Sequence, residues 1–342
     1  MMDTLVETKA LTRVFTRTTG RGRARARERL VAVDGLNLHI ARGESLGYIG
    51  ANGAGKSTTI KMLTGILVPT SGEVTVCGLE PVKRRKDLAR HLGVVFGQRS
   101  QLWWDLPLSD SFTILAAIHQ LPSARFTSRL EELVEQLELA ATLQTPVRQL
   151  SLGQRMRGEL AAALLHSPEL VILDEPTIGL DVVSKERLRQ FLAAERKTHG
   201  TTLVLTTHDM GDIERLCDRV VVVDRGRSVY DGALSDLARL AHTERVLVVD
   251  FATPQPAMSD LHTAALVDAD STGVRQRFAF NGQTTTAAQV LTEVSSRAEV
   301  RDLSVEEPDI EAVVRTMYQA QRTAGADGRS AHEVGDAHEH GL

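Results

Sequence analysis

The sequence predicts an α/β fold with a mostly parallel sheet and packed helices, followed by a small α+β domain. Three observations carry this. Apolar runs such as "PELVILDEP" and "TTLVLTTH" alternate with helical patterns, as strands joined by crossovers do. The glycine-rich stretch "GANGAGKST" stands between a strand pattern and a helix pattern. After about residue 240 the helix–strand alternation gives way to strands such as "ERVLVVDF" and "VRQRFAFNG" and to two helix patterns.

Taken in order, "TLVETKALTRVF" reads as a first strand and "RTTGRGRARARER" as a Gly/Arg-rich loop. "LVAVDGLNLHIARGESLGYIG" holds two strands split by a turn at Arg42-Gly43. "GKSTTIKMLTGIL" is a helix ending near Pro69, and "GEVTVCG" and "HLGVVFGQ" are strands. Residues 109–143 are mostly helical, with "SRLEELVEQLELA" the clearest stretch. "SKERLRQFLAAERK" is a helix and "DRVVVVDRGRSVYDG" a terminal hairpin. The division drawn is 4–240 for the first domain, with a helical subdomain at about 99–165, then 241–322 for an α+β accessory domain. In the latter, "TTAAQVLTEVSS" and "DIEAVVRTMYQAQ" are the helices. Residues 323–342 are polar and rich in Gly and Ala, a disordered tail. His332, His338 and His340 fall there, read as part of a solvated end rather than a metal site.

Composition narrows the function. The 342 residues suggest about two domains at roughly 150 residues each. A net charge of -4 gives no global basic field, so no nucleic-acid partner is expected. Cys77 and Cys217 are too few for a disulfide framework and fit a reducing compartment. No apolar run approaches the roughly 18 residues of a membrane helix. The N-terminal stretch carries acids where a signal peptide carries an apolar run. A cytoplasmic protein, held at a membrane only by a partner, is the expectation.

"GANGAGKST", Gly50 to Thr58, fits the pattern G-x-x-x-x-G-K-[ST]. Its glycines let backbone N–H groups face a polyphosphate, Lys56 adds a point charge, and the Ser57 hydroxyl is a Mg²⁺ ligand. "LVILDE" ends a buried strand in Asp174 and Glu175, at the ligand edge of a parallel sheet. Asp174 can hold the Mg²⁺ shell, and Glu175 is placed to polarise a water in line with the γ-phosphate. No guanine-reading Asn-Lys-x-Asp is present, which argues against a GTPase. A second anion site opens at "LSLGQRMRGELAAALL", where Ser151 and Gly153 begin a helix with free N–H groups and a hydroxyl.

With "GANGAGKST", "LSLGQ", "LVILDE", "IGLD" and "LTTHD" in this order, residues 4–240 resemble an ATP-binding-cassette (ABC) ATPase. The resemblance implies a P-loop NTPase cassette: a mostly parallel sheet core, an antiparallel β edge and a helical signature subdomain. It also implies ATP and Mg²⁺ as cofactors. The ATP site would comprise Gly50, Asn52, Gly53, Ala54, Gly55, Lys56, Ser57 and Thr58, with adenine on Phe15. Gln98 resembles the glutamine that reaches Mg²⁺ and the attacking water and reports to the membrane partner. The metal set is thus Ser57, Gln98 and Asp174, and the catalytic set Glu175, His208 and Gln98, His208 resembling the switch histidine at the γ-phosphate. Two such cassettes meet head to tail, so Ser151, Gly153, Gln154 and Asp181 would complete the partner's ATP site. "LSLGQ" departs from the commoner LSGGQ only at Leu152.

One P-loop and one signature per chain imply pairing with itself or a homologous cassette, and docking to a separate permease. The stretch "VVFGQRSQLWWDLPLSDSF" and the C-terminal "VEEPDIEAVVRTMY" resemble bacterial drug and antibiotic exporters. That implies an ATPase subunit powering export, peripheral on the cytoplasmic side of the cell membrane. An importer ATPase, or a soluble regulatory ABC protein, is the alternative. Adjacent Trp103 and Trp104 cannot both face one core, so one is expected to be exposed.

Overall fold

The structure, a computed structural model, describes residues 3–19, 26–97, 100–207, 209–241 and 244–306. Strands β1 (Thr4–Thr19) and β2 (Ala26–Ala41) form a long hairpin paired from Thr4↔Ala41 to Thr19↔Ala26. The expected loop at 17–29 is therefore strand at both of its ends. Alternating Arg and other residues have the two-residue period of a strand, and a ladder is held by backbone groups whatever side chains flank it. Residues 20–25 lie outside the described residues.

Strand β3 (Ser45–Gly50) is buried at every position and leads through the P-loop into α1 (Lys56–Leu63). That helix stops well short of Pro69. Gly65 sits at φ +71, and a Cβ there would lie 2.4 Å from the Pro81 carbonyl, so glycine is required where the chain turns. Strand β4 (Ser71–Val76) pairs antiparallel with β1 and completes a three-stranded edge sheet in the order β2-β1-β4.

The short helix α2 (Arg85–Leu88) precedes β5 (Leu92–Phe96). The helical region then holds α3 (Leu108–Ile118), α4 (Ser123–Gln136) and α5 (Leu152–Leu164). Next come β6 (Leu170–Asp174), α6 (Val182–His199), β7 (Thr202–Thr206), α7 (Met210–Leu216) and the hairpin of β8 (Arg219–Asp224) and β9 (Arg227–Ala233). Among the described residues the main sheet has six strands in the order β5-β6-β7-β3-β8-β9. Pairing is parallel from β5 through β8. The near-continuous apolar runs of β6, β7 and β8 follow from burial on both faces, as parallel sheets require.

The chain divides into two compact units, Met1–Gly232 and Ala233–Leu342. The second begins with α8 (Leu234–Ala241), and the division drawn from the sequence falls at the far end of that helix. It continues with β10 (Glu244–Phe251), β11 (Ala265–Ala269), β12 (Arg275–Asn281), α9 (Ala287–Ser295) and β13 (Val300–Glu306). The antiparallel sheet runs β11-β12-β10-β13. Leu247, Val249, Phe251, Phe278 and Phe280 form its core with Val290 and Val294 of α9. The helix expected at 309–321 and the tail at 323–342, with its histidines, lie outside the described residues.

Candidate active site

Parallel pairing puts the functional loops on one edge of the main sheet. Asp174 is in register with Phe96 on one side and Thr206 on the other. The chain leaving β5, β6 and β7 therefore emerges at a common level, with the P-loop leaving β3 at the same edge. Gln98 and His208 follow β5 and β7 within two residues but lie outside the described residues.

The P-loop is held from behind by backbone. Asp34 N–H donates to the Gly226 carbonyl, and Gly226 N–H donates to the Ala54 carbonyl, both at 2.9 Å. Gly55, at φ +106, lies so close to β2 that a Cβ would sit 2.3 Å from the Ala32 carbonyl oxygen. Gly53, at φ +84, has nothing within 4 Å of a Cβ position. The cradle is thus closed on the protein side and open above. Asn52, Gly53 and Ser57 are exposed, whereas Ala54 and Lys56 are buried. No side chain caps the start of α1, so its first N–H groups point at the loop. Lys56 Nζ donates to the Gly50 and Ala51 carbonyls. Burial pushes its pKa down, and the carboxylates of Glu175 and Asp174 push it back up.

Asp174 accepts a hydrogen bond from Thr206 Oγ1 at 2.5 Å, which fixes its carboxylate. Glu175 N–H donates to the Thr206 carbonyl at 2.9 Å, and Glu175 has φ +57, a left-handed conformation that a non-glycine residue rarely adopts. The oxygen donors of Ser57 and Asp174 and the cradle shut by Ala32 suit Mg²⁺ and a polyphosphate.

Behind this edge lies a polar network that motif reading missed. Asp212 is fully buried and accepts from Thr177 Oγ1 at 2.5 Å, Thr207 Oγ1 at 3.2 Å and Arg189 Nε at 2.7 Å. Lys185 Nζ donates to Asp209 at 2.6 Å. The network ties the chain around His208 to α6. Thr207 and Asp209 lie in the "LTTHD" stretch, but nothing in the sequence marked Asp212, three residues further on, as the acid that gathers the network.

Ser151 caps α5 in a reciprocal box: its Oγ accepts from Gln154 N–H at 3.2 Å, and Gln154 Oε1 accepts from Ser151 N–H at 2.9 Å. The Ser151 hydroxyl keeps its own proton to donate. Asp181 caps α6 through Ser184 N–H at 2.9 Å. The two caps are neighbours. A Cβ on Gly153 would lie 3.3 Å from Ser184 Oγ, and one on Gly179 would lie 2.7 Å from Leu152 Cδ2. Among the described residues, no hydrogen bond or ion pair joins the Ser151 cap to the P-loop of the same chain. Phe15 is half-buried on β1 opposite Leu30, with the Arg13 guanidinium 4.6 Å from its ring centroid. Trp103 and Trp104 are 36% and 51% exposed, so both reach the surface in part.

The pattern of the ABC transporter family matches residues 33–178. The chain is 37% identical over 240 residues to the Nod factor export ATP-binding protein I of Paraburkholderia xenovorans, covering 69% of this chain and 76% of that one. It is 31% identical over 213 residues to the ABC transporter ATP-binding protein NatA of Bacillus subtilis, covering 62% and 86%. A daunorubicin resistance ATP-binding protein of Streptomyces coeruleorubidus is 36% identical over 222 residues, covering 64% and 68%. Among solved structures, the ATP-binding subunit of an ABC transporter superposes with a TM-score of 0.59 at 28% identity, over 69% of this chain and 92% of that one. A dimeric ATP-binding cassette in a post-hydrolysis state with ADP and Pi gives 0.59 at 26% identity, over 67% and 99%. These relatives show that the chain, with its P-loop at the end of β3 and its Asp–Glu pair at the end of β6, belongs to the ABC transporter family, among its ATP-binding subunits.

Proposed function

We propose that this chain binds and hydrolyses ATP to power an exporter, pairing head to tail with itself or a homologous cassette and docking to a separate permease. One observation carries the hydrolytic reading: Glu175 is held at φ +57 directly after Asp174. A non-glycine residue in that region costs on the order of 1–3 kcal/mol. Six other non-glycine residues among those described share a positive φ, and it is the placement of Glu175 at the end of β6, beside Asp174, that ties its strain to this site. Bound Mg²⁺ would supply charge neutralisation and orient the phosphates. P-loop N–H groups and Lys56 would bind the phosphates, and Phe15 the adenine. Ser57, Gln98 and Asp174 would hold the metal. Glu175 would take a proton from water, with His208 and Gln98 orienting the γ-phosphate and that water. Ser151, Gly153, Gln154 and Asp181 would close the partner's site.

Export follows the Nod factor and daunorubicin relatives. Among the described residues no helix is long and apolar enough to cross a membrane. In this reading the permease would hold the chain on the cytoplasmic side. The cassette is assigned to 4–240 and the accessory domain to 241–322. The test is ATP hydrolysis by the purified chain with and without Mg²⁺. A rate equal to that of Lys56→Ala overturns the hydrolytic reading.

A further inference from the structure

Glu159 is a carboxylate in the apolar run "GELAAALL" of α5, 5% exposed. Burying a charge in such a run is expensive unless donors meet it. The donors come from one place. Ser100 Oγ–H donates to Oε1, Gln101 N–H donates to Oε2 at 3.2 Å, and Gln101 Nε2 donates to the backbone carbonyl of Glu159 at 2.9 Å. Ser100 Oγ in turn accepts from Leu102 N–H at 3.1 Å. Burial pushes the Glu159 pKa up, and these hydrogen bonds and nearby Arg155 pull it down.

The neighbouring positions of α5 repeat the contact. Arg155 lies over the Trp104 ring, 5.6 Å from its centroid. At Gly158 a Cβ would lie 2.9 Å from Leu108 Cδ1 and 3.3 Å from Leu102 Cδ1, so these side chains pack closely on the helix backbone there. Positions 155, 158 and 159 form one stripe at i, i+3 and i+4. The stripe begins one turn after Ser151, and Glu159 lies roughly 12 Å along the helix from that cap.

We propose that Glu159 is a positioning residue that fastens the Ser100–Trp104 segment to α5, so that closure of Ser151 and Gly153 on nucleotide carries the Trp103–Trp104 pair with the helix. The inference rests on the head-to-tail reading above. It makes the segment after Gln98 and the signature cap one rigid body, joined by a carboxylate that neither motif contains.

The chain reports on itself, because its two tryptophans are Trp103 and Trp104. Full-length protein is mixed with a non-hydrolysable ATP analogue and Mg²⁺. Tryptophan emission and acrylamide quenching are recorded, nucleotide binding is measured by equilibrium dialysis, and folding is checked by circular dichroism. Nucleotide should shift the emission of the wild type. Glu159→Ala should bind the analogue within about twofold of wild type yet lose at least two thirds of the emission response. Glu159→Gln, whose carbonyl can accept from Gln101 N–H while its amide N–H donates to Ser100 Oγ, should restore most of it. The double variant Ser100→Ala, Gln101→Ala leaves α5 untouched and keeps only the Gln101 N–H bond to Oε2, so it should lose part of the emission response. A folded Glu159→Ala or double variant with a wild-type response overturns the proposal. Wild-type protein that binds the analogue with no change in emission also overturns it and leaves the site reading standing. Wild-type protein that does not bind the analogue overturns the site reading itself.

Discussion

Thr206 and Asp174 face each other on adjacent parallel strands, and the threonine hydroxyl donates to the aspartate at 2.5 Å. This bond holds Asp174 Oδ1 in place. Thr206→Val keeps the shape and removes the donor. Metal affinity should fall by about 10- to 100-fold, the usual loss when a ligand's supporting hydrogen bond is removed. A Mg²⁺ titration of ATP hydrolysis measures it, and an unchanged midpoint would refute the role.

Glu175→Gln keeps the side-chain volume and loses the proton acceptor. Hydrolysis should fall by about 10² or more while ATP still binds. The unspent nucleotide should hold two chains together, visible by size-exclusion chromatography. Wild-type turnover in this variant would mean another group is the base.

Lys56 and Ser151 should serve different copies of the site. In the proposed head-to-tail pairing, Lys56→Ala and Ser151→Arg chains would each form dimers with two damaged sites. Mixed, they would also give dimers with one doubly damaged site and one intact site. Partial recovery of ATPase activity on mixing is expected. No recovery, with mixed dimers detected by differential tags, counts against head-to-tail pairing.

Trp103 and Trp104 combine apolar area with partial exposure, the character of interface anchors. Trp104 also has the Arg155 guanidinium against its ring. Replacing each by Ala should weaken permease binding, by roughly 2 kcal/mol at the stronger anchor. Basal hydrolysis should change little. Lost folding stability with normal permease binding would make the pair structural instead.

His166 stacks on His119 with ring centroids 3.9 Å apart. Burial pushes the His166 imidazole down to about 4, the charges of His119, Arg125 and His91 push the same way, and a hydrogen bond to the Leu92 carbonyl opposes them. The unfolded group titrates near 6.5, so between about pH 6.5 and 4 the unfolded chain binds the extra proton. This contribution to stability is present above pH 6.5 and is lost as pH falls towards 4, about 3 kcal/mol in all. Urea unfolding at pH 7.5 and pH 5 should show about 2 kcal/mol of it. His166→Gln, which can still donate to Leu92, should show a correspondingly smaller drop, and an equal drop in both proteins would exclude His166 as the cause.

Local chemistry was legible in the chain itself. "LVILDE" announced a buried strand ending in acids because parallel strands buried on both faces need unbroken apolar runs. "GANGAGKST" placed a loop between strand and helix because its glycines allow backbone conformations that other residues resist. What tertiary structure decided was every relation between distant segments. That Ala32 closes the P-loop, that Asp212 gathers Thr177, Thr207 and Arg189, and that Glu159 holds Ser100 and Gln101 depends on strand order and helix packing. The hairpin through Thr19 and Ala26 was hidden for a related reason: its Gly/Arg-rich composition resembles a loop, and its pairing lies in backbone groups common to all residues. A residue's type shows which bonds it can make, whereas only the folded chain sets which partner lies within 3 Å of it.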